Sequence, residues 1–431
     1  MQVEVTDRAP RIKLAKTNTG SISSMNQPNT EKTTGTSDRP LLFTPMKLRG
    51  LTIRNRIMVS PMCQYHSVDG APTDWQTAHI GRLAAGGYGI VFGEETAVEP
   101  EGRKTYACAG LYTDEHVPAY RRLTDLIKDS GGTPAIQLGH AGRKASCHVA
   151  VENWRPLVEE DAKDGMPPWQ AIAPSPLHAV PPRLHLPREM DKDDIKNMIE
   201  LFRVATLRSG EAGYDIVEVH GAHGYLIHEF LSPCSNIRTD GYGGDLQGRM
   251  RFALEISEVV REVWPDDKPV FFRVSAVDGK GGAWDLSDSV ELSKELKDRG
   301  IDVVDVSSGG ISGDSDMPMV PRSALYQTAF SDRIRHEADI ATVAVGGITK
   351  AQQAEDILQA GQADIVALAR ELLWNADWAA HAAMELGVED PYGYLPHEYA
   401  DRLRIRERQL KMEINQGGAE TQKALDYFLG R

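Results

Sequence analysis

From Pro40 onward the chain alternates between short apolar runs and longer stretches in which apolar residues return every three or four positions. The short runs are Arg56–Ser60, Gly89–Phe92, Pro134–Leu138, Asp215–Val219, Val270–Val274, Val303–Val306, Ala341–Val345 and Asp364–Leu368. Apolar runs of this length, bounded by polar or glycine residues, have the pattern of strands buried on both faces. Val117–Ser130, Asp191–Gly210, Gly248–Val263, Leu286–Arg299 and Lys350–Ala360 carry helical spacing. Gly131, Gly300 and Gly361 stand where a left-handed helix C-cap favours glycine. Eight strands alternating with helices predict a parallel sheet of the α/β class, and eight is the number that closes a (β/α)8 TIM barrel. A doubly wound open sheet is the competing arrangement, but its usual G-x-G-x-x-G loop does not follow the first strand.

Three regions break the rhythm. Ala145–Arg188, rich in proline and tryptophan, reads as a loop insertion that forms a lid over the barrel mouth, and Gly309–Ser331 as a second, turn-rich interruption. Residues 1–38 are rich in Thr, Ser, Asn and Lys and poor in large apolar side chains, so they cannot bury enough surface to offset ordering entropy. They are expected to be a disordered extension, with 39–431 forming one barrel domain. Tyr399–Arg431 is charged and helical, an extension expected to dock on the barrel or on a partner subunit.

Composition narrows the functional classes. A chain of 431 residues with 41% apolar and 26% charged residues is an ordinary globular protein. A net charge of −14 argues against a nucleic-acid partner. No apolar run approaches the roughly 18 residues of a membrane span. Cys63, Cys108, Cys147 and Cys234 lie far apart with no C-x-x-C pair, which suggests free thiols in a reducing, cytoplasmic setting rather than disulfides or a zinc site. No secretory signal is visible in the first 38 residues, and a mitochondrial presequence is a weak alternative.

Chemistry collects where the strands end, which in a barrel is a single rim. The segment His220-Gly-Ala-His223-Gly-Tyr225 places two imidazoles and a phenol together after a buried run. Imidazole donors can hold a carbonyl or nitro oxygen, and a phenol can deliver a proton nearby. Histidines three apart at a strand end suit a metal poorly; core histidines satisfying loop carbonyls are the blander reading. Gly346-Gly347, by itself a tight turn, becomes a phosphate cradle once Arg370 stands at the neighbouring strand end. Arg273 lies within an apolar strand, in a buried ion pair with Glu218, as a cation beside an anionic cofactor edge, or as both at once, since an arginine has five donors. Cys63 reads as a packed thiol or a cofactor contact rather than a nucleophile.

These motifs, together with Leu42–Ile57, Gln137-Leu-Gly-His-Ala-Gly-Arg143 and Asn236–Asp245, resemble the Old Yellow Enzyme family of FMN-dependent ene-reductases over roughly Leu41 to Tyr399. The branch most resembled is the thermophilic-like one, which shares the His-x-x-His form and the position of Cys63. The resemblance implies tightly bound FMN, with NADPH or NADH as hydride donor and an enone or nitro compound as substrate. It places Ser60, Pro61, Met62, Cys63 and Glu95 along the flavin ring, Gln137 at its pyrimidine edge and Arg273 where reduced flavin carries negative charge. It assigns the phosphate to Gly346, Gly347, Ala369 and Arg370. On the substrate side it implies His220 and His223 as oxygen anchors, Tyr65 and Lys104 as pocket wall, and Tyr225 as proton donor. Glu95 and Lys104 depart from the family pattern, which has a small residue and an often apolar one at these positions. The family's C-terminal Tyr-x-Arg signature has only a loose counterpart in Tyr399-Ala-Asp-Arg402, so a homodimer or larger homo-oligomer stays open. A flavin-dependent isomerase or tailoring enzyme on the same framework is the alternative, and a non-catalytic flavin sensor a third. An Fe–S relative is disfavoured because no cysteine follows Cys234.

Overall fold

In the computed structural model, eight parallel strands close on themselves: β1 (Ile57–Val59), β2 (Ile90–Ala97), β3 (Thr133–Gly139), β4 (Ile216–Gly221), β5 (Val270–Ser275), β6 (Val303–Ser307), β7 (Ala341–Val345) and β8 (Ile365–Leu368). The order around the barrel follows the sequence, and β8 pairs with β1 to complete it. The (β/α)8 expectation is met. The structure describes residues 39–179, 185–416 and 419–431, so the disorder expected of residues 1–38 lies outside the described residues.

The strands form a barrel because both of their faces are apolar. The outward face packs under helices α1 (Asp74–Ala84), α2 (Val117–Asp129), α3 (Lys192–Glu211), α4 (Leu246–Val263), α5 (Leu286–Asp298), α6 (Thr328–Ala338), α7 (Ala351–Gln359) and α8 (Trp378–Glu385). The inward face fills the lower barrel with Met58, Ile90, Phe92, Ile216, Phe271 and Val303. Each fully buried side chain of this size stabilises the fold by about 1.5–3 kcal/mol. Local signals set the helix ends. Asp191 accepts hydrogen bonds from the Asp193 and Asp194 amides to open α3, while Gly131, Gly300 and Gly361 adopt φ of +76°, +82° and +67° just beyond α2, α5 and α7.

Several elements depart from the sequence pattern. Met46–Leu48 and Leu51–Ile53 form an antiparallel hairpin whose Leu48 and Ile53 join the lower interior cluster, but strands of three residues are too short to show a period. Helices α1 and α6 bury Gln76, Thr328 and Ser331 on their inner faces, which blurs the apolar spacing. Strand β2 runs to Ala97 instead of Phe92, with a break in register between Phe92 and Glu95.

The insertion after β3 carries short 3-10 turns and a two-residue strand pair, Ile172–Ala173 with Arg188–Glu189. Its Trp154 meets the Tyr65 ring edge-on at 5.3 Å, and Trp169 packs with Tyr225 on Ala141, Ala145 and Ala171. At the C-terminus α9 (His397–Gln416) sets Ala400 and Leu403 against Ala380, Tyr392 and Leu395, so its first turns dock on the barrel. A final helix, α10 (Ala419–Leu429), follows, with Tyr427 and Phe428 exposed. Among the described residues no helix is long and apolar enough to cross a membrane.

Candidate active site

The upper barrel reverses the chemistry of the lower. The same strands that bury Phe92, Ala135, Ile216, Phe271 and Val303 carry Glu95, Gln137, Glu218, His220, Arg273 and Asp305 further along their inward faces, all buried. Neighbouring strands hold these residues in register: Glu95 beside Gln137, Gln137 beside Glu218, His220 beside Arg273, and Arg273 beside Asp305.

Arg273 is not paired as the ion-pair reading of its strand supposed. Its Nε faces Asp305 at 3.4 Å and its Nη1 donates to Ser60 Oγ at 3.1 Å. Glu218 instead accepts from Gln137 Nε2 at 2.7 Å, which leaves the Gln137 carbonyl oxygen for another donor. Adjacent strand ends in a barrel are staggered, and register rather than alternation alone chooses the partner. Burial, and for Glu218 also the neighbouring Asp305, pushes both carboxyl groups above the usual carboxylate range, with Arg273 acting against it. Among the described residues Arg273 Nε, Glu218 Oε2 and both Asp305 oxygens make no hydrogen bond, so this layer holds polar capacity its own residues do not use.

A cavity of about 440 Å³ opens beside this layer. Ser60, Pro61, His223, Arg273, Gly346, Gly347, Ala369 and Arg370 line it, all of them expected site residues. Gly346 and Gly347 have φ of +115° and +68°. A Cβ on Gly346 would stand 2.7 Å from Gln327 Nε2, and one on Gly347 2.7 Å from the Ser323 carbonyl, so only glycine fits either position. Arg370 is exposed at the rim. Ser307, Tyr326, Gln327 and Thr349 also line the cavity and were not among the expected site residues. Gln327 braces it, accepting from Ser308 Oγ at 2.6 Å and donating to the Val345 carbonyl at 2.7 Å. Only the position of Ser307 at a strand end pointed to any of these four.

The second group of expected residues lies around Tyr225. Its ring centroid is 5.3 Å from that of His220, which is 5.1 Å from that of His223. His223 has φ of +60°, and its Nε2 shares a hydrogen bond with Ser307 Oγ at 2.7 Å; His220 Nδ1 has no hydrogen-bond partner among the described residues. Burial, reinforced by neighbouring positive groups, holds both imidazoles well below the ordinary histidine value, so they are neutral and each keeps one N–H to donate. The turn that carries them is anchored below. His228 Nδ1 accepts from the Gly224 amide at 2.8 Å, and its other nitrogen meets Asp278 at 2.9 Å. Glu95 and Lys104, both departures from the expected pattern, pair with each other at 2.5 Å, and Lys104 Nζ lies 3.3 Å from Cys63 Sγ. Burial pushes the Cys63 thiol up to about 12, with Lys104 opposing, so it is a neutral thiol. Met62 anchors the same loop, its amide donating to the Gly93 carbonyl at 3.0 Å.

This arrangement has relatives. The sequence profile of the NADH:flavin oxidoreductase / NADH oxidase family matches residues 41–389. The chain belongs to that family. It is 44% identical over 352 residues to an NADPH dehydrogenase of Geobacillus sp. (strain WCH70), covering 81% of this chain and 95% of that protein. It is 41% identical over 352 residues to the NADPH dehydrogenase of Bacillus subtilis (strain 168), covering 81% and 96%. Among solved structures it resembles morphinone reductase, at 27% identity and a TM-score of 0.66, over 81% of this chain and 91% of that one. The protein is therefore an FMN-dependent oxidoreductase of the Old Yellow Enzyme type, supplied by a reduced nicotinamide. The site fits that cofactor on its own chemistry. Unused donors and acceptors ring the upper barrel, and the glycine cradle beside an exposed arginine suits a phosphate.

Proposed function

We propose that this family member is an ene-reductase acting on α,β-unsaturated carbonyl or nitro compounds, with NADPH or NADH as the reductant. The observation that carries the reading is the cluster of two neutral imidazoles and a half-buried phenol, within 5.1 and 5.3 Å of one another, next to the cavity that Arg273 lines. FMN bound at this site would supply the hydride chemistry that reduces the activated double bond.

In this reading the protein's own groups do the rest. His220 and His223 donate to the substrate oxygen, which gains charge as hydride arrives, so their hydrogen bonds strengthen toward the transition state. Neutral imidazoles suit that task, and the hydrogen bond to Ser307 fixes how the His223 ring is turned. Tyr225 gives its proton to Cα; burial keeps the phenol protonated until the carbon partner is basic enough to take it. Gln137 and Arg273 would hold the flavin's pyrimidine edge, Ser60 to Cys63 and Glu95 would border its ring, and Gly346, Gly347, Ala369 and Arg370 would hold its phosphate. Tyr65 and Lys104 form the substrate wall, under the insertion that carries Trp154 and Trp169.

The test is an anaerobic titration of the purified protein with NADPH, followed by cyclohexenone. A flavin band that bleaches and then returns is the expected result. A bound flavin that bleaches but does not recover, with an isomeric product formed without NADPH consumption from a dedicated substrate, would replace this reading by the isomerase one.

A further inference from the structure

The ion pair between Glu95 and Lys104 is buried, with 6% and 4% of the two side chains exposed. An ion pair loses much hydration on burial and is weak evidence for stability, so its surroundings bear on why it is there. Glu95 comes from β2 and Lys104 from the loop that follows it. Together they carry the ammonium to 3.3 Å from Cys63 Sγ and 5.0 Å from the centre of the Tyr225 ring.

Other charged and titratable groups also face that ring. Lys144 Nζ is 5.4 Å from the ring centre, and the His220 ring is 5.3 Å away. His220 is neutral. Lys144 is committed to backbone, donating to the His223 carbonyl at 2.6 Å and to the Gly310 carbonyl at 2.8 Å, and burial brings it down to about 8. Lys104 differs. Burial works against its charge, but the groups around it, the Glu95 carboxylate among them, hold it above the ordinary lysine range. Of the groups around the phenol it is the cation braced by a carboxylate.

We propose that Lys104, held in place by Glu95, is a positioning residue for Tyr225, its ammonium stabilising the phenolate left when the phenol gives up its proton. The inference rests on Tyr225 being the proton donor. The balance is simple. The Tyr225 O–H bond breaks, its proton forms the new C–H bond at Cα, and the phenolate takes a proton from solvent before the next turnover. No electrons pass through Lys104. Throughout, Glu95 keeps the pair neutral, so the pocket gains no net charge and the ammonium acts as a local field.

The acidity of Tyr225 can be read without turnover. Holoenzyme labelled with 3,5-difluorotyrosine, whose phenol is more acidic than that of tyrosine, gives a 19F resonance for Tyr225 that Tyr225→Phe identifies by its loss. Lys104→Met should raise the titration midpoint of that resonance by about one pH unit or more, Lys104→Arg should restore it, and Glu95→Gln should lower it. Reoxidation of the reduced enzyme by an enone should slow by roughly tenfold in Lys104→Met. An unmoved midpoint, or one that shifts the same way in Lys104→Met and Glu95→Gln, would show a pair that only fills space and would overturn the proposal. Should Lys104→Met fail to fold around its unpaired carboxylate, the double variant Glu95→Gln/Lys104→Met carries the test, with a smaller rise still required. Tyr225→Phe reoxidised at full rate would remove the donor reading itself, an outcome distinct from any shift of the midpoint.

Discussion

The two ends of the barrel are built from the same eight strands and follow opposite rules. Below, Met58, Ile90, Phe92, Ile216 and Phe271 fill the interior, and the hairpin ending in Ile53 closes it. Above, Glu95, Gln137, Glu218, His220, Arg273 and Asp305 occupy equally buried positions and leave several polar atoms unpaired. The lower end gains free energy from apolar burial, and the upper end holds charge and hydrogen-bonding capacity at a cost that the lower end offsets. A substitution should therefore cost stability at one end and chemistry at the other.

The largest effect that tests this division is catalytic. Tyr225→Phe should slow enone-driven reoxidation by about 10²–10⁴-fold, the usual worth of a positioned acid, while flavin reduction by NADPH stays within a few-fold. Stopped-flow absorbance separates the two half-reactions; equal loss in both would blur the division. Phe271→Ala, at the lower end, should destabilise the protein by about 3–5 kcal/mol in urea unfolding while leaving the bound flavin's spectrum unchanged. A large loss of flavin affinity there would instead show that the two ends are mechanically one.

The third effect depends on pH. Glu229 ties the short helix Leu226–Leu231 to the loop after β3, accepting from the Arg143 amide at 3.0 Å, and burial pushes its carboxyl up to about 8, against the pull of Arg143. A folded value above the unfolded one means that the folded state binds the extra proton. The resulting stabilisation is complete below the unfolded value of about 4.3 and is lost as pH climbs through the folded one. Thermal unfolding should thus show the protein weakening from pH 5 to pH 8 by about 1–3 kcal/mol. Glu229→Gln should flatten that slope, and an unchanged slope would assign it to other groups. The smallest effect is expected at Ser307→Ala, which frees the His223 ring at a cost of about 1 kcal/mol, or roughly fivefold in kcat/KM for the enone. No change would mean that the ring is held by its backbone conformation alone.

Most of the lower end was legible because it rests on local rules. Strand Ala341–Val345 has the bounds its apolar run marks, and the remaining barrel strands differ mainly at their ends. The cavity brings together Ser60, Pro61, His223, Arg273, Gly346, Gly347, Ala369 and Arg370 because strand ends in a parallel barrel share one rim. Where polar side chains sit on the buried face of a helix, as Gln76 does in α1, the pattern fades and the element is missed.

The sequence by itself determined the alternation of strands and helices, the glycines at the helix ends and the set of chemical groups at the rim. Each follows from side-chain period or backbone preference within a few residues. Only the tertiary structure decided who meets whom. Arg273 faces Asp305 rather than Glu218, Gln327 braces the cradle of Gly346, and Glu95 and Lys104 answer each other beside Tyr225. Those pairings depend on barrel closure and stagger, which sum contributions from all eight strands and leave no trace in any one of them.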